Sequence, residues 1–297
     1  MNPRNIKIIS APSILGLKPT GVQDLPKSLL ASGLAEALGT GTHVINVDTF
    51  NEKYKNEREA PWQVLNAEAI KHFSIGLGNV LSDTMQNGYF PIVLGGDCSI
   101  LIGIMASLKT SGAYGLIFLD AHADFYEPEK SITGEVADMD LAIITGRGPE
   151  LLTNINDLGP YVKDEHVIHI GQRDQEETKK YGSQDIKNSA VRCICLADIH
   201  GRGISAVKDD VLHTINLADV EGFWIHYDTD VLSDDINPAV DYRIPGGLSF
   251  HEVECVIQAV LQSGRARGLS VTIFNPRLDS DEKISKKIVK SLGKAFE

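Results

Sequence analysis

Eight short runs rich in Val, Ile and Phe punctuate the chain: IKIIS, HVINV, YFPIVL, GLIFLD, HVIHIG, VRCICL, GFWIHYD and GLSVTIF. Each is nearly continuous in apolar residues, the pattern of a strand covered on both faces. Stretches with helical period separate most of them, among them 25–38, 68–85, 251–261 and 282–295. Strand alternating with helix predicts an α/β fold with a mainly parallel sheet between helices. Eight such strands close into a barrel or lie open as a wound sheet, and the pattern leaves both open.

With 297 residues, 42% of them hydrophobic, the chain is long enough for one large core, so 1–297 is expected to be a single domain. The four cysteines, Cys98, Cys193, Cys195 and Cys255, do not form a disulfide framework at these spacings and read as thiols of a reducing, cytoplasmic compartment. No charged segment followed by an apolar one opens the chain, and no run approaches the roughly 18 apolar residues of a membrane helix. No membrane partner is therefore expected. A formal net charge of −12 argues against nucleic acid, whose affinity rests on Lys and Arg, and favours a small-molecule substrate.

Both candidate architectures bind ligands at the carboxyl ends of their strands. GGDCS follows the third run and DAHAD, with Asp120, His122 and Asp124, follows the fourth. GQRDQEE follows the fifth, and HYDTD, with Asp228 and Asp230, closes the seventh. On an extended backbone, residues two apart point the same way, so each acidic motif is expected to aim its side chains together. Four carboxylates in one crevice repel unless a cation neutralises them. Carboxylates with one imidazole suit Mn²⁺, and five hard ligands plus Cys98 suffice for two ions that share carboxylates. A lone DxHxD reads equally as a solvated loop or a helix cap, and it is the second cluster that favours metal. Cys98 remains either a ligand or an inert buried thiol.

Taken in order, GGDCS, DAHAD and HYDTD resemble the three metal motifs of the ureohydrolase (arginase/agmatinase) family, GGDHS, DAHxD and SxDxDxxDP. The resemblance runs over 92–276 and includes GGL at 246–248 and NP at 275–276. It implies a three-layer α/β/α sandwich with an open, mainly parallel eight-stranded sheet of the arginase/deacetylase type, a homo-oligomer (trimer or hexamer), and C–N bond hydrolysis. One Mn²⁺ ion would be held by Cys98, Asp120, Asp124 and Asp228, the other by His122, Asp120, Asp228 and Asp230. The resemblance further implies a hydroxide between the ions as nucleophile, with Asp124 orienting it and then protonating the leaving nitrogen. Cys98 stands where most of the family has histidine. The Nω-hydroxy-arginine amidinohydrolases are similar in having cysteine there, and VIHIGQRDQEE and WIHYDTDVL resemble that branch too. A thiolate alters metal preference, so a single ion or another divalent metal at that subsite stays open.

Other departures bear on substrate. The glutamate that receives a guanidinium in the family's ExNP corresponds to Ile273, and the histidine of the loop after DAHxD corresponds to Ala137. Ser233 replaces the aspartate of DxxDP, and HYD brings in His226 and Tyr227; an imidazole inside a strand reads first as a satisfied core residue. Losing a buried charge-assisted partner costs roughly 2–5 kcal/mol, which makes arginine a poor substrate. Glu176, aligned with a residue that contacts the substrate amino group, and Glu135 or Tyr126 read a polar tail or are merely surface residues. Three expectations follow: a dinuclear hydrolase of a linear amidine, hydroxyguanidine or related compound, an inactive or regulatory family member, or a mononuclear deacetylase-like amidohydrolase.

Overall fold

In the computed structural model, which describes residues 5–41, 43–49 and 52–297, all eight apolar runs contribute to one sheet. Its strands are β1 (Ile6–Ala11), β2 (Ile45–Asn46), β3 (Phe90–Gly95), β4 (Gly115–Leu119), β5 (Val167–Ile170), β6 (Arg192–Ile194), β7 (Phe223–Asp228) and β8 (Ala266–Thr272). Their spatial order is β2-β1-β3-β8-β7-β4-β5-β6, and every pairing is parallel. β2 and β6 are edges, so the sheet is open and not a barrel. HVINV yields only a two-residue strand, because an edge position offers it one neighbour. A separate antiparallel ribbon pairs Arg58–Glu59 with Val64–Leu65.

Both faces of the strands are apolar, and alternation sorts them into two cores. Ile8, Ile92, Leu94, Ile117, Leu119 and Ile225 pack under the helices Leu25–Ala31, Leu34–Ala37, Ile204–Leu217, Phe250–Gln262 and Lys283–Phe296. Ile9, Val93, Leu116, Phe118 and Trp224 pack under Ala67–Gln86, Ile100–Lys109 and Asp140–Ile144. These are the three layers. The helix expected over 25–38 is two helices, because Gly33 takes φ 92 between them, a left-handed position that glycine adopts without a Cβ penalty. Among the described residues no helix is long and apolar enough to cross a membrane.

The chain lays down β1 to β6 first and then inserts β7 and β8 between β3 and β4. The strand order therefore reverses at the centre of the sheet, where open α/β sheets leave a crevice. The carboxyl ends of β3, β8, β7 and β4, four consecutive neighbours, open into it.

Candidate metal centre and active-site cavity

The acidic motifs converge, but not by the extended geometry that their spacing suggests. β4 ends at Leu119; beyond it the His122 N–H donates to Asp120 Oδ1 at 2.7 Å, and Asp124 sits at φ 47. After β7 a 3-10 turn, Thr229–Val231, begins with the Asp230 N–H donating to Asp228 Oδ1 at 2.8 Å. In both motifs the first aspartate caps its own turn, and the turn folds the later ligands back over the strand end. The two motifs meet where Asp230 Oδ1 accepts from the Ala121 N–H at 3.1 Å and Asp230 Oδ2 lies 2.9 Å from His122 Nδ1. In the turn after β3, Cys98 Sγ reaches Asp228 Oδ2 at 2.8 Å and Thr272 Oγ1 at 3.1 Å.

Two groups of side chains offer ligand atoms lying within 4.8 Å of one another: Cys98, Asp120, His226 and Asp228, and Asp120, His122 and Asp124. Asp120 belongs to both, and its Oδ2 is buried without a hydrogen-bond partner. Burial, and then the charge of Asp230, pushes the Asp120 carboxyl up to about 7. Asp124 and Asp228 are raised well above the carboxylate range, first by burial and then by Asp120 and Asp230 respectively. Burial and then Asp228 likewise hold the Cys98 thiol far up. Asp230 goes the other way: burial works against its charge, but His122 and Arg173 outweigh it. Buried acids that resist ionising beside an orphaned oxygen are what a divalent cation relieves, so the donor set fits metal.

Above these groups lies a cavity of about 330 Å³ whose lining includes His122, Asp124, Asp228 and Asp230. Tyr126, Glu135 and Ile273 also line it. Glu135 is buried, accepting from Tyr242 Oη at 2.7 Å and from the Lys18 N–H at 3.1 Å. Glu176 is exposed on the first turn of the helix Gln175–Tyr181, and the next residue, Glu177, lines the cavity. Ile273 is 7% exposed and holds φ 70, an uncommon conformation for a β-branched residue, with its N–H bonded to Gly96 O at 2.9 Å. Cys98, Ala137 and Ile273 pack with Leu17, Val22 and Val240 in one apolar cluster. Ala137 and Ile273 thus line the cavity together, and Cys98 is buried in the same cluster without lining it.

Sequence reasoning missed several residues. His226 is buried and hydrogen-bonded to Ser270, as expected of a satisfied core residue, and alternation along β7 also puts it behind Asp228 on the same face, a second position that counting back two from Asp228 finds. Arg173 of GQRDQEE is one: its Nη2 donates to the carbonyls of Asp230 at 2.8 Å, Leu232 at 3.2 Å and Ile244 at 3.2 Å, fixing the turn that bears Asp230. Asp174 accepts from the Ala123 N–H at 2.9 Å and braces DAHAD from below. Asp138 has a buried, unpartnered Oδ1 and lines the cavity; burial pushes its carboxyl up to about 7. Nothing local in TGEVADM marks it.

An open all-parallel sheet with an acidic, imidazole-bearing centre at its reversal point describes a class of metal-dependent hydrolases. The Arginase family model matches residues 6–295, and the chain belongs to the arginase family, whose members are dinuclear metal hydrolases acting on C–N bonds of linear amidines. It is 29% identical over 303 residues to an arginase of Staphylococcus aureus (strain MSSA476), covering 98% of this chain and 96% of that one. It is likewise 29% identical over 292 residues to an arginase of Bacillus subtilis (strain 168), covering 96% and 95%. The crystal structure of Bacillus caldovelox arginase superposes with a TM-score of 0.86 at 25% identity, over 99% of this chain and 98% of that one.

Proposed function

We propose that this protein is a dinuclear metallohydrolase that cleaves a non-peptide C–N bond of a linear amidine, hydroxyguanidine or related small molecule whose reacting head is neutral or weakly basic, unlike that of arginine. The observation behind this reading is the pair of apolar residues Ala137 and Ile273 in the lining of the cavity that holds two ligand groups sharing Asp120. An apolar wall accepts a neutral head without a buried counter-charge, whereas a guanidinium left against it lacks its bidentate partner.

The residues proposed to hold metal are Cys98, Asp120, His122, Asp124, Asp228 and Asp230. Two divalent cations, Mn²⁺ at least at the subsite that lacks Cys98, would supply a water ionised near neutral pH. Asp124, buried at the cavity floor, is proposed to orient that water and hand its proton to the leaving nitrogen. Glu135 and Tyr126 are proposed to read the substrate's tail, with Glu177 of the cavity lining in the place expected of Glu176. Glu135, Asp174, Glu177 and Asp241 all line the cavity, with Arg243 among them, which favours a tail bearing an amine. We also propose one arginase-like domain over 1–297, a cytoplasmic location, and a homo-oligomeric trimer or hexamer.

Elemental analysis followed by a colorimetric panel of guanidines, hydroxyguanidines, formimino compounds and amides tests the reading. It stands if two ions per chain accompany urea or amine release from a neutral or hydroxylated head. It falls if metal-loaded protein releases nothing from any class, the outcome of an inactive family member, or if one ion per chain supports full activity, the outcome of a deacetylase-like site.

A further inference from the structure

Trp224, His226 and Asp228 project from one face of β7, and the register sets His226 beside Ser270 of β8 and Phe118 of β4, with Thr272 beside Asp228. The imidazole lies over the Phe118 ring, centroids 5.1 Å apart and planes 11° from parallel. Its Nδ1 is 2.9 Å from Ser270 Oγ, and Trp224 Nε1 donates to the same oxygen at 2.9 Å. An indole N–H only donates, so Ser270 Oγ is an acceptor there, and its second lone pair is free to take the Nδ1 proton of His226. In that tautomer Nε2 presents a bare lone pair toward the end of the strand. Thr272 Oγ1 stands 3.3 Å from Nε2 and 3.1 Å from Cys98 Sγ. A hydrogen bond at the far nitrogen is the usual support of a metal-ligating histidine, and the stacked Phe118 ring fixes the plane of the imidazole.

We propose that His226 is a ligand of the inner metal subsite, where it joins Cys98, Asp120 and Asp228 around a tetrahedral zinc-type ion, while Asp120, His122, Asp124 and Asp230 hold a harder ion such as Mn²⁺. This rests on the reading of the centre as a dinuclear metal site. The four inner ligand atoms lie within 4.8 Å of one another, and the Asp120 Oδ2 among the residues involved is buried and unpartnered. One thiolate, one imidazole and two carboxylates make a mixed set of four that suits Zn²⁺, whereas Mn²⁺ favours oxygen and a higher coordination number. The imidazole that position 98 lacks is thus supplied from β7, two strands away, and Thr272 between them is placed to donate its hydroxyl to the thiolate. The outer group contains no sulfur, so the two subsites differ in softness and select different ions.

The test uses the full chain, stripped of metal by a chelator and reloaded with Zn²⁺, Mn²⁺ or Co²⁺. Zinc is expected to be retained at one ion per chain against excess Mn²⁺, and Co²⁺ to show a thiolate-to-cobalt charge-transfer absorption that Cys98→Ser abolishes. His226→Phe should weaken zinc binding by at least about 100-fold and leave the Mn²⁺ ion in place, since losing even a supporting partner costs 10–100-fold. Ser270→Ala, a milder change, should weaken it by about 10-fold or more, and circular dichroism establishes that each variant is folded. Undiminished zinc affinity in folded Ser270→Ala and His226→Phe overturns the proposal. So does Mn²⁺ filling both subsites of the wild type in competition with zinc, which would leave the dinuclear reading intact. A wild type that binds no ion overturns both.

Discussion

Replacing Ile273 with glutamate tests the substrate reading most directly. In the wild type the side chain is buried in one apolar cluster with Cys98 and Ala137 and lines the cavity, so a guanidinium placed there meets no carboxylate from that position. A buried charge-assisted partner is worth roughly 2–5 kcal/mol, and about 2.7 kcal/mol corresponds to a factor of 10² at 1.36 kcal/mol per decade. Two local terms modify this. Glutamate is not β-branched, so at φ 70 it relieves backbone crowding of order 1 kcal/mol. Against that, a new carboxylate joins Asp124, Asp228 and Asp230 around the same cavity and lowers the stability of the metal-free protein by repulsion. The expected outcome is that the wild type processes arginine and agmatine at least 10²-fold less efficiently in kcat/KM than its best substrate, and that Ile273→Glu recovers about that factor on guanidines. Its Tm should fall without metal and recover with metal. Steady-state urea release is the assay. Robust arginine hydrolysis by the wild type, or no gain in a folded, metal-loaded Ile273→Glu, would refute the role given to this wall.

Asp120→Asn and Asp228→Asn should each abolish two-ion binding and turnover, because Asp120 belongs to both ligand groups and Asp228 is tied to both Cys98 and Asp230; elemental analysis showing two ions in either variant contradicts the assignment. Cys98→His should raise the Mn²⁺ content of the inner subsite, since imidazole suits that ion better than thiolate, and unchanged content would mean that Sγ is not a ligand. Chelator-treated protein should lose thermal stability as pH rises from about 4 to 7. Asp120 and Asp138, both raised to about 7, hold protons in the folded state that the unfolded chain has already released, and metal should remove the Asp120 share of this loss. Because Cys98, Ala137 and Ile273 touch one apolar cluster, Ala137→His and Ile273→Glu combined should differ from the sum of the single changes by roughly 0.5–3 kcal/mol in kcat/KM on agmatine, and strict additivity would argue against a shared surface.

The sheet was legible because strands buried on both faces carry their own signature, and the ligand motifs because parallel strands deliver their ends to one edge. What was hidden depended on register. Whether His226 is core or ligand turns on Ser270 and Thr272 lying beside it, and no local reading of WIHYDTD contains a neighbour that arrives more than forty residues later in the chain. The same limit applied to Glu177, whose place on the cavity wall is set by helix phase, and to Arg173, whose partners are carbonyl oxygens that carry no residue-type signal. The departures at Cys98, Ala137 and Ile273 are each visible in the sequence, the first as a ligand or an inert thiol and the other two as separate losses. Ala137 and Ile273 both line the cavity, so the loop after β4 and the end of β8 change together into one apolar stretch of wall, while Cys98 lies in the same buried cluster among the ligand groups. A cavity altered so coherently, above acids that remain intact and converge on Asp120, argues for a different occupant and not for decay. Random loss would strike the turns capped by Asp120 and Asp228 as readily as it strikes the wall, and those turns keep their hydrogen bonds.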